Sequence, residues 1–122
     1  MKDIVSDRCE TTNIGQMKKK ESIILNQIKS IVREREPRAK IYLFGSRSRG
    51  TAQSDSDWDL LILLNKDHIT PDTEQQITSP LYDLEFDTGM VISPMIYSEH
   101  EWFEKYSSTP FFNNVMREGI LL

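Results

Sequence analysis

A single cysteine, Cys9, stands in a chain of 122 residues, so no internal disulfide can staple the fold. No apolar run approaches the ~18–20 residues that a helix needs to span a bilayer, and no apolar core of a signal peptide is present. The expected location is therefore the cytoplasm. Positive charge is not in excess either. Fifteen Lys and Arg stand against 19 Asp and Glu, giving a net charge of −4 and a pI near 5.2. Proteins that hold a long nucleic acid carry a basic footprint, so this balance argues against a template-dependent polymerase. Glycine and proline number five each. They act as local punctuation rather than as a low-complexity tract. With 38% apolar and 28% charged residues and a mean hydropathy of −0.49, the composition is that of a soluble globular protein with a polar surface. A mass of 14.2 kDa allows one domain with a modest core.

What is present is concentrated in residues 40–65, KIYLFGSRSRGTAQSDSDWDLLILLN. Ile41-Tyr42-Leu43-Phe44 reads as a short buried strand ending at Gly45. A polar turn follows, Gly45-Ser46-Arg47-Ser48-Arg49-Gly50, and then Asp55-Ser56-Asp57-Trp58-Asp59 runs into a second apolar strand, Leu60 to Leu64. Side chains on a strand alternate faces, so Asp57 and Asp59 point one way and Trp58 the other. Two carboxylates held side by side repel each other unless a cation sits between them. Mg²⁺ is the expected ion, because it prefers oxygen and is commonly held by one or two carboxylates plus substrate phosphates. The turn supplies small residues, backbone N–H groups, the hydroxyls of Ser46 and Ser48 and the guanidinium groups of Arg47 and Arg49, all suited to a triphosphate. It is not a Walker A loop: Gly45 and Gly50 have the right separation, but Thr51-Ala52 stands where Lys-Ser/Thr is required. Taken singly, each piece would more often be a solvated turn; their order and spacing give them meaning.

Shorter elements flank this core. Residues 1–13 are polar and aperiodic and read as a flexible extension, leaving residues 14–122 as one domain. From about residue 15 to residue 35, Met17, Ile23, Ile24, Leu25, Ile28, Ile31 and Val32 fall largely on one helical face, and Pro37 closes the helix. Thr70-Pro71-Asp72 carries an N-cap residue and a proline at the first helical position, predicting a short helix through Ile77, and Ser79-Pro80 repeats the signal. Residues 81–87 alternate apolar and acidic side chains as a strand does, though Gly89 could equally stop a short helix. Residues 90–97 read as a third core strand, at an edge or bulged, because Pro94 donates nothing to a ladder. Ser98 to Glu101 has the pattern of a capping box, opening a helix through Tyr106. Thr109-Pro110 opens another, ended by Gly119. His68 and His100 read as surface residues, and the apolar tail Ile120-Leu121-Leu122 is expected to pack back on the domain.

Gly45-Ser46, an Arg-rich turn, and Asp57-Trp58-Asp59 after ten intervening residues resemble the signature of the DNA polymerase β-like nucleotidyltransferase superfamily. The form GSRSRGTAQSDSDWDLLILL is most similar to the minimal nucleotidyltransferases (MNT), small stand-alone domains of bacteria and archaea. The resemblance implies an α/β (α+β) nucleotidyltransferase fold, a small mixed sheet with helices packed against it. It implies transfer of NMP, most simply AMP from ATP, to a hydroxyl of a protein or small molecule. Asp57 and Asp59 would be metal ligands and catalytic, Gly45 and Ser46 would cradle the phosphates, and Arg47 and Arg49 would neutralise them. The family's third carboxylate comes from a later strand, and here Ser93 stands about where it is expected. Asp87, or Glu85, could replace it only if that strand began earlier. Such domains often pair with a small helical HEPN-type partner as antitoxin to toxin. The alternative is a nucleotide-binding module with weak or no turnover that neutralises its partner by contact.

Overall fold

The computed structural model describes residues 19–50, 52 and 56–122; the extension expected at 1–13 and the helix start expected at 15–18 lie outside the described residues. The first helix, α1 (Lys19–Arg35), repeats apolar residues at helical spacing, and Ile24, Leu25, Ile28 and Val32 form its buried stripe. A turn at Pro37 leads into β1 (Lys40–Phe44). A one-turn helix, α2 (Ser46–Arg49), precedes β2 (Trp58–Leu64). Helix α3 (Pro71–Thr88) crosses over to β3 (Ile92–Ser98), and α4 (Glu99–Lys105) and α5 (Pro110–Glu118) precede a two-residue strand, β4 (Ile120–Leu121). Among the described residues no helix is long and apolar enough to cross a membrane.

The strands form one mixed sheet in the order β3-β2-β1-β4, with β1 antiparallel to β2 and β4, and β3 parallel to β2. A parallel pair needs a long crossover, and α3 supplies it. Both faces of the sheet are covered, which is why β2 is almost continuously apolar rather than alternating. Ile41, Leu43, Trp58, Leu60, Ile62, Leu64 and Ile92 face α1 and α3. Leu61 and Leu63 face the other way, towards Trp102 of α4 and Val115 of α5.

Three features depart from or complete the sequence reading. The region expected as a short helix followed by a strand or second helix is a single helix, α3, which runs through Pro80. Thr70 caps it by accepting from Thr73 N at 3.1 Å, and Gly89 ends it with φ +76. Pro80 removes one backbone hydrogen bond, but Ile77, Leu81 and Leu84 are buried on both sides of it at i, i+4 and i+7. Packing overrides the local break. β3, the edge strand of the sheet, carries Pro94 where it does least harm. The C-terminal tail does pack back: β4 pairs with β1, Leu122 N donates to Ile41 O at 2.8 Å, and Arg33 Nη2 donates to Leu122 O at 3.1 Å.

The second face is aromatic. Trp102 is fully buried against Tyr97, Tyr106, Phe111 and Phe112, with ring centroids 5.0–6.1 Å apart. Its indole N–H has no hydrogen-bond partner among the described residues, so its contribution is packing alone. Trp102→Ala is therefore expected to cost about 3–5 kcal/mol, read as a fall in the urea midpoint at unchanged slope.

Candidate active site

The site is built where β1 ends and β2 begins. At Gly45 the chain turns with φ +78 and ψ −157, a backbone region reserved for glycine. Its carbonyl then gathers the next turn, accepting from Ser48 N at 3.1 Å, Arg49 N at 3.3 Å and Ser48 Oγ at 2.9 Å. Gly50, with φ +77, closes α2 by donating to Ser46 O. β2 then returns antiparallel, with Phe44 opposite Asp59. This register lays the Asp59 carboxylate over Gly45 so closely that a Cβ added there would overlap Asp59 Oδ2. The glycine is required twice, by its torsion angle and by the carboxylate above it.

Asp57 is exposed immediately before β2, and Asp59 is partly buried within it. Burial, and then the charge of Asp57, push the Asp59 carboxyl above the usual carboxylate range, while Arg49 pulls it back. The two carboxylates and the Arg49 guanidinium thus share one electrostatic neighbourhood. Arg49 also pairs with Glu118 of α5 at 3.3 Å, an exposed contact of little energetic weight.

Arg47 is placed differently from Arg49. Its side chain is 2% exposed, and its Nη1 lies 2.7 Å from Glu21 Oε2 on α1. Nε and Nη2 both donate to Ser56 O, at 3.2 and 2.8 Å, and the guanidinium carbon sits 4.1 Å above the Trp58 ring. Trp58 belongs to the face of the sheet covered by α1 and α3, opposite to that of Asp59. The expected pair of phosphate-facing arginines is therefore divided, with Arg49 near the carboxylates and Arg47 engaged behind them. Ser46 is half-buried at the head of α2.

On β3, Ser93 lies directly opposite Asp59 in the parallel register. The strand starts at Ile92, so the earlier start that would bring Glu85 or Asp87 into play is not found. Both residues lie in the last turns of α3. Asp87 is exposed there, and Glu85 Oε2 accepts from Ile92 N at 2.8 Å. Among the described residues no group of three or more His, Cys, Asp or Glu is placed to hold a metal ion. A cleft of about 600 Å³ lined by Asn65, Asp67, Glu99 and His100 belongs to the opposite end of β2 and includes none of the site residues. Sequence reasoning missed Glu21 and Glu118, which carry no motif and reach the site only through folding.

A strand, a glycine turn and two carboxylates at the head of the returning strand of a mixed sheet are the arrangement that the resemblance to nucleotidyltransferases implies. The profile of the nucleotidyltransferase domain family matches residues 25–108, and the chain belongs to that family. Solved structures share the fold. The crystal structure of a toxin–antitoxin with AMP-PNP is 22% identical, covers 79% of this chain and 69% of its own, and superposes with a TM-score of 0.53. Two mutants of the toxin–antitoxin MntA–HpeT are 23% and 20% identical, with TM-scores of 0.52 and 0.54. They cover 80% and 79% of this chain and 70% and 69% of their own. No curated protein matches the chain.

Proposed function

We propose that this chain moves AMP from ATP to a hydroxyl group of a partner protein, and that it acts as the antitoxin of a pair with a small helical HEPN-type toxin. The observation that carries the reading is the convergence of Asp57, Asp59 and Arg49 beside a turn that has no side chain at Gly45. The family and the likeness to toxin–antitoxin structures, one of them holding AMP-PNP, support it.

A divalent cation fits the donor set, because burial and then the charge of Asp57 raise the Asp59 carboxyl, and a positive ion between the carboxylates offsets both. Mg²⁺ held by Asp57 and Asp59 would supply neutralisation of the triphosphate and polarisation of the reacting oxygens. The chain's own groups do the rest. Gly45 leaves room for the Asp59 carboxylate beside the turn, Ser46 stands at the head of the turn for the phosphates, and Arg49 compensates charge that grows on the leaving pyrophosphate. The acceptor oxygen forms a bond to the α-phosphorus as the α–β bridging P–O bond breaks, and the acceptor's proton passes to a base. Ser93 is too weak an acid–base group for that task at neutral pH, so the proton goes to solvent or to a base of the acceptor.

The same serine favours a second reading, in which the domain binds nucleotide and neutralises its partner by contact without transfer. Intact-mass analysis separates the two. The chain is incubated with ATP, Mg²⁺ and the protein encoded beside it. Gain of one or more AMP units on the partner, lost with Asp57→Ala, is the expected result. A stable complex with no gain in mass would leave the contact reading standing.

A further inference from the structure

Among the described residues Arg47 is the only buried charged one, at 5% exposure, and its partners explain why it is there. It joins three elements that the sequence keeps apart. Glu21 on α1 holds one end of the guanidinium, and Ser56 O takes two N–H groups at the other. The Trp58 ring lies beneath it, its centroid 4.1 Å from the guanidinium carbon. Ser56 and Trp58 are the two residues that flank Asp57, so Arg47 grips the backbone on one side of that carboxylate and the side chain on the other. Only an arginine can do this, because its planar fork offers several fixed donors while its face stacks on an indole. A lysine ammonium can satisfy Glu21, but it cannot also bond Ser56 O twice and cover the ring.

Resting on the reading of this turn as a nucleotide site, we propose that Arg47 is a positioning residue rather than a phosphate ligand. With Glu21 it forms a strut through the domain that fixes Asp57 against the Gly45 turn. The face on which it works is the one away from Asp59, so a nucleotide held by the carboxylates is out of its reach. The proposal makes Glu21, a residue on the far side of the sheet from the carboxylates, matter to nucleotide affinity. Groups that only orient a metal ligand commonly change affinity by about 10–100-fold when removed.

The test is calorimetric titration of the full chain with Mg²⁺ and AMP-PNP, for the wild type, Glu21→Gln, Arg47→Lys and Val115→Ala. Val115 lies in the opposite core, and its truncation serves as a control for lost stability at an intact site. Expected is a loss of affinity of about tenfold in both Glu21→Gln and Arg47→Lys, with Val115→Ala at the wild-type value although its melting temperature falls. If Arg47→Lys weakens binding while Glu21→Gln does not, Arg47 touches phosphate directly and the strut is wrong. If all three variants bind as the wild type does, the Glu21–Arg47 pair is purely structural and the proposal fails. A wild type that binds no nucleotide would overturn the reading of the site itself, a different result from either of these.

Discussion

Asp59→Asn is expected to remove activity and at the same time to raise the melting temperature of the cation-free protein. The Asp59 carboxylate is partly buried and stands next to Asp57, and both effects disfavour its charged form. Asparagine has the same shape without the charge, so the unfavourable part is deleted and the packing over Gly45 is kept. After allowance for solvent screening at a partly exposed site, the gain is on the order of 0.5–1 kcal/mol, or about 2–4 °C for a domain of this size. On the proposed function, transfer of AMP should fall by at least about a hundredfold, because a cation held by Asp57 and Asp59 would lose one of its two carboxylates. Mg²⁺ should shift the melting point of the wild type upward and leave Asp59→Asn unmoved. Calorimetric scans with and without Mg²⁺ check both signs together. A lowered melting point in the cation-free mutant would show that Asp59 is a structural acceptor instead.

Gly45→Ala should have the second large effect, this time on stability and function in the same direction. A side chain at φ +78 and ψ −157 costs about 1–3 kcal/mol in backbone strain alone. Its Cβ would also displace the Asp59 carboxylate, and the ladder pair between Phe44 and Asp59 leaves the backbone little room to yield. A loss of about 2–4 kcal/mol is expected, a large part of the ~5–15 kcal/mol that holds a domain together. Nucleotide binding should be lost with it. Gly50→Ala provides the contrast. At φ +77 and ψ 13 it lies in the left-handed helical region, and among the described residues nothing comes within 4 Å of the new methyl group. It should cost only about 1–2 kcal/mol, and binding should survive. Urea denaturation of the two mutants alongside nucleotide titration distinguishes strain at both glycines from the collision that exists only at Gly45.

Much of the fold was legible because it is local. The alternation in residues 57–64 sets which side chains share a face, whatever the rest of the chain does. Thr70, Ser98 and Thr109 cap their helices as their sequence neighbours suggest. Around Pro80 the sequence leaves strand and helix both open and breaks the helix in two, because a proline and an alternation of acidic and apolar residues are local signals. The helix ended by Gly89 is the one that forms, continuous with the turn at Thr70. Ile77, Leu81 and Leu84, buried against the sheet, hold that one helix across both signals. β4 could not be read from two residues; it exists because Tyr42 and Leu43 offer a free edge opposite Ile120 and Leu121.

The sequence by itself determined the strand–turn–strand unit, the two aspartates one strand period apart, and a glycine at the bend between the strands. Those follow from torsion angles and from a two-residue repeat, both properties of adjacent residues. Only the tertiary structure decided which arginine of the turn stands by the carboxylates and which is enclosed. Arg47 and Arg49 are chemically identical and two residues apart, so no local rule separates them. The difference is made by Glu21 on α1 and Glu118 on α5, which approach the turn from opposite faces of the sheet. Tertiary structure likewise brought Ser93 opposite Asp59, because the register of a parallel pair is set by the crossover helix and the packing beneath it, not by either strand alone.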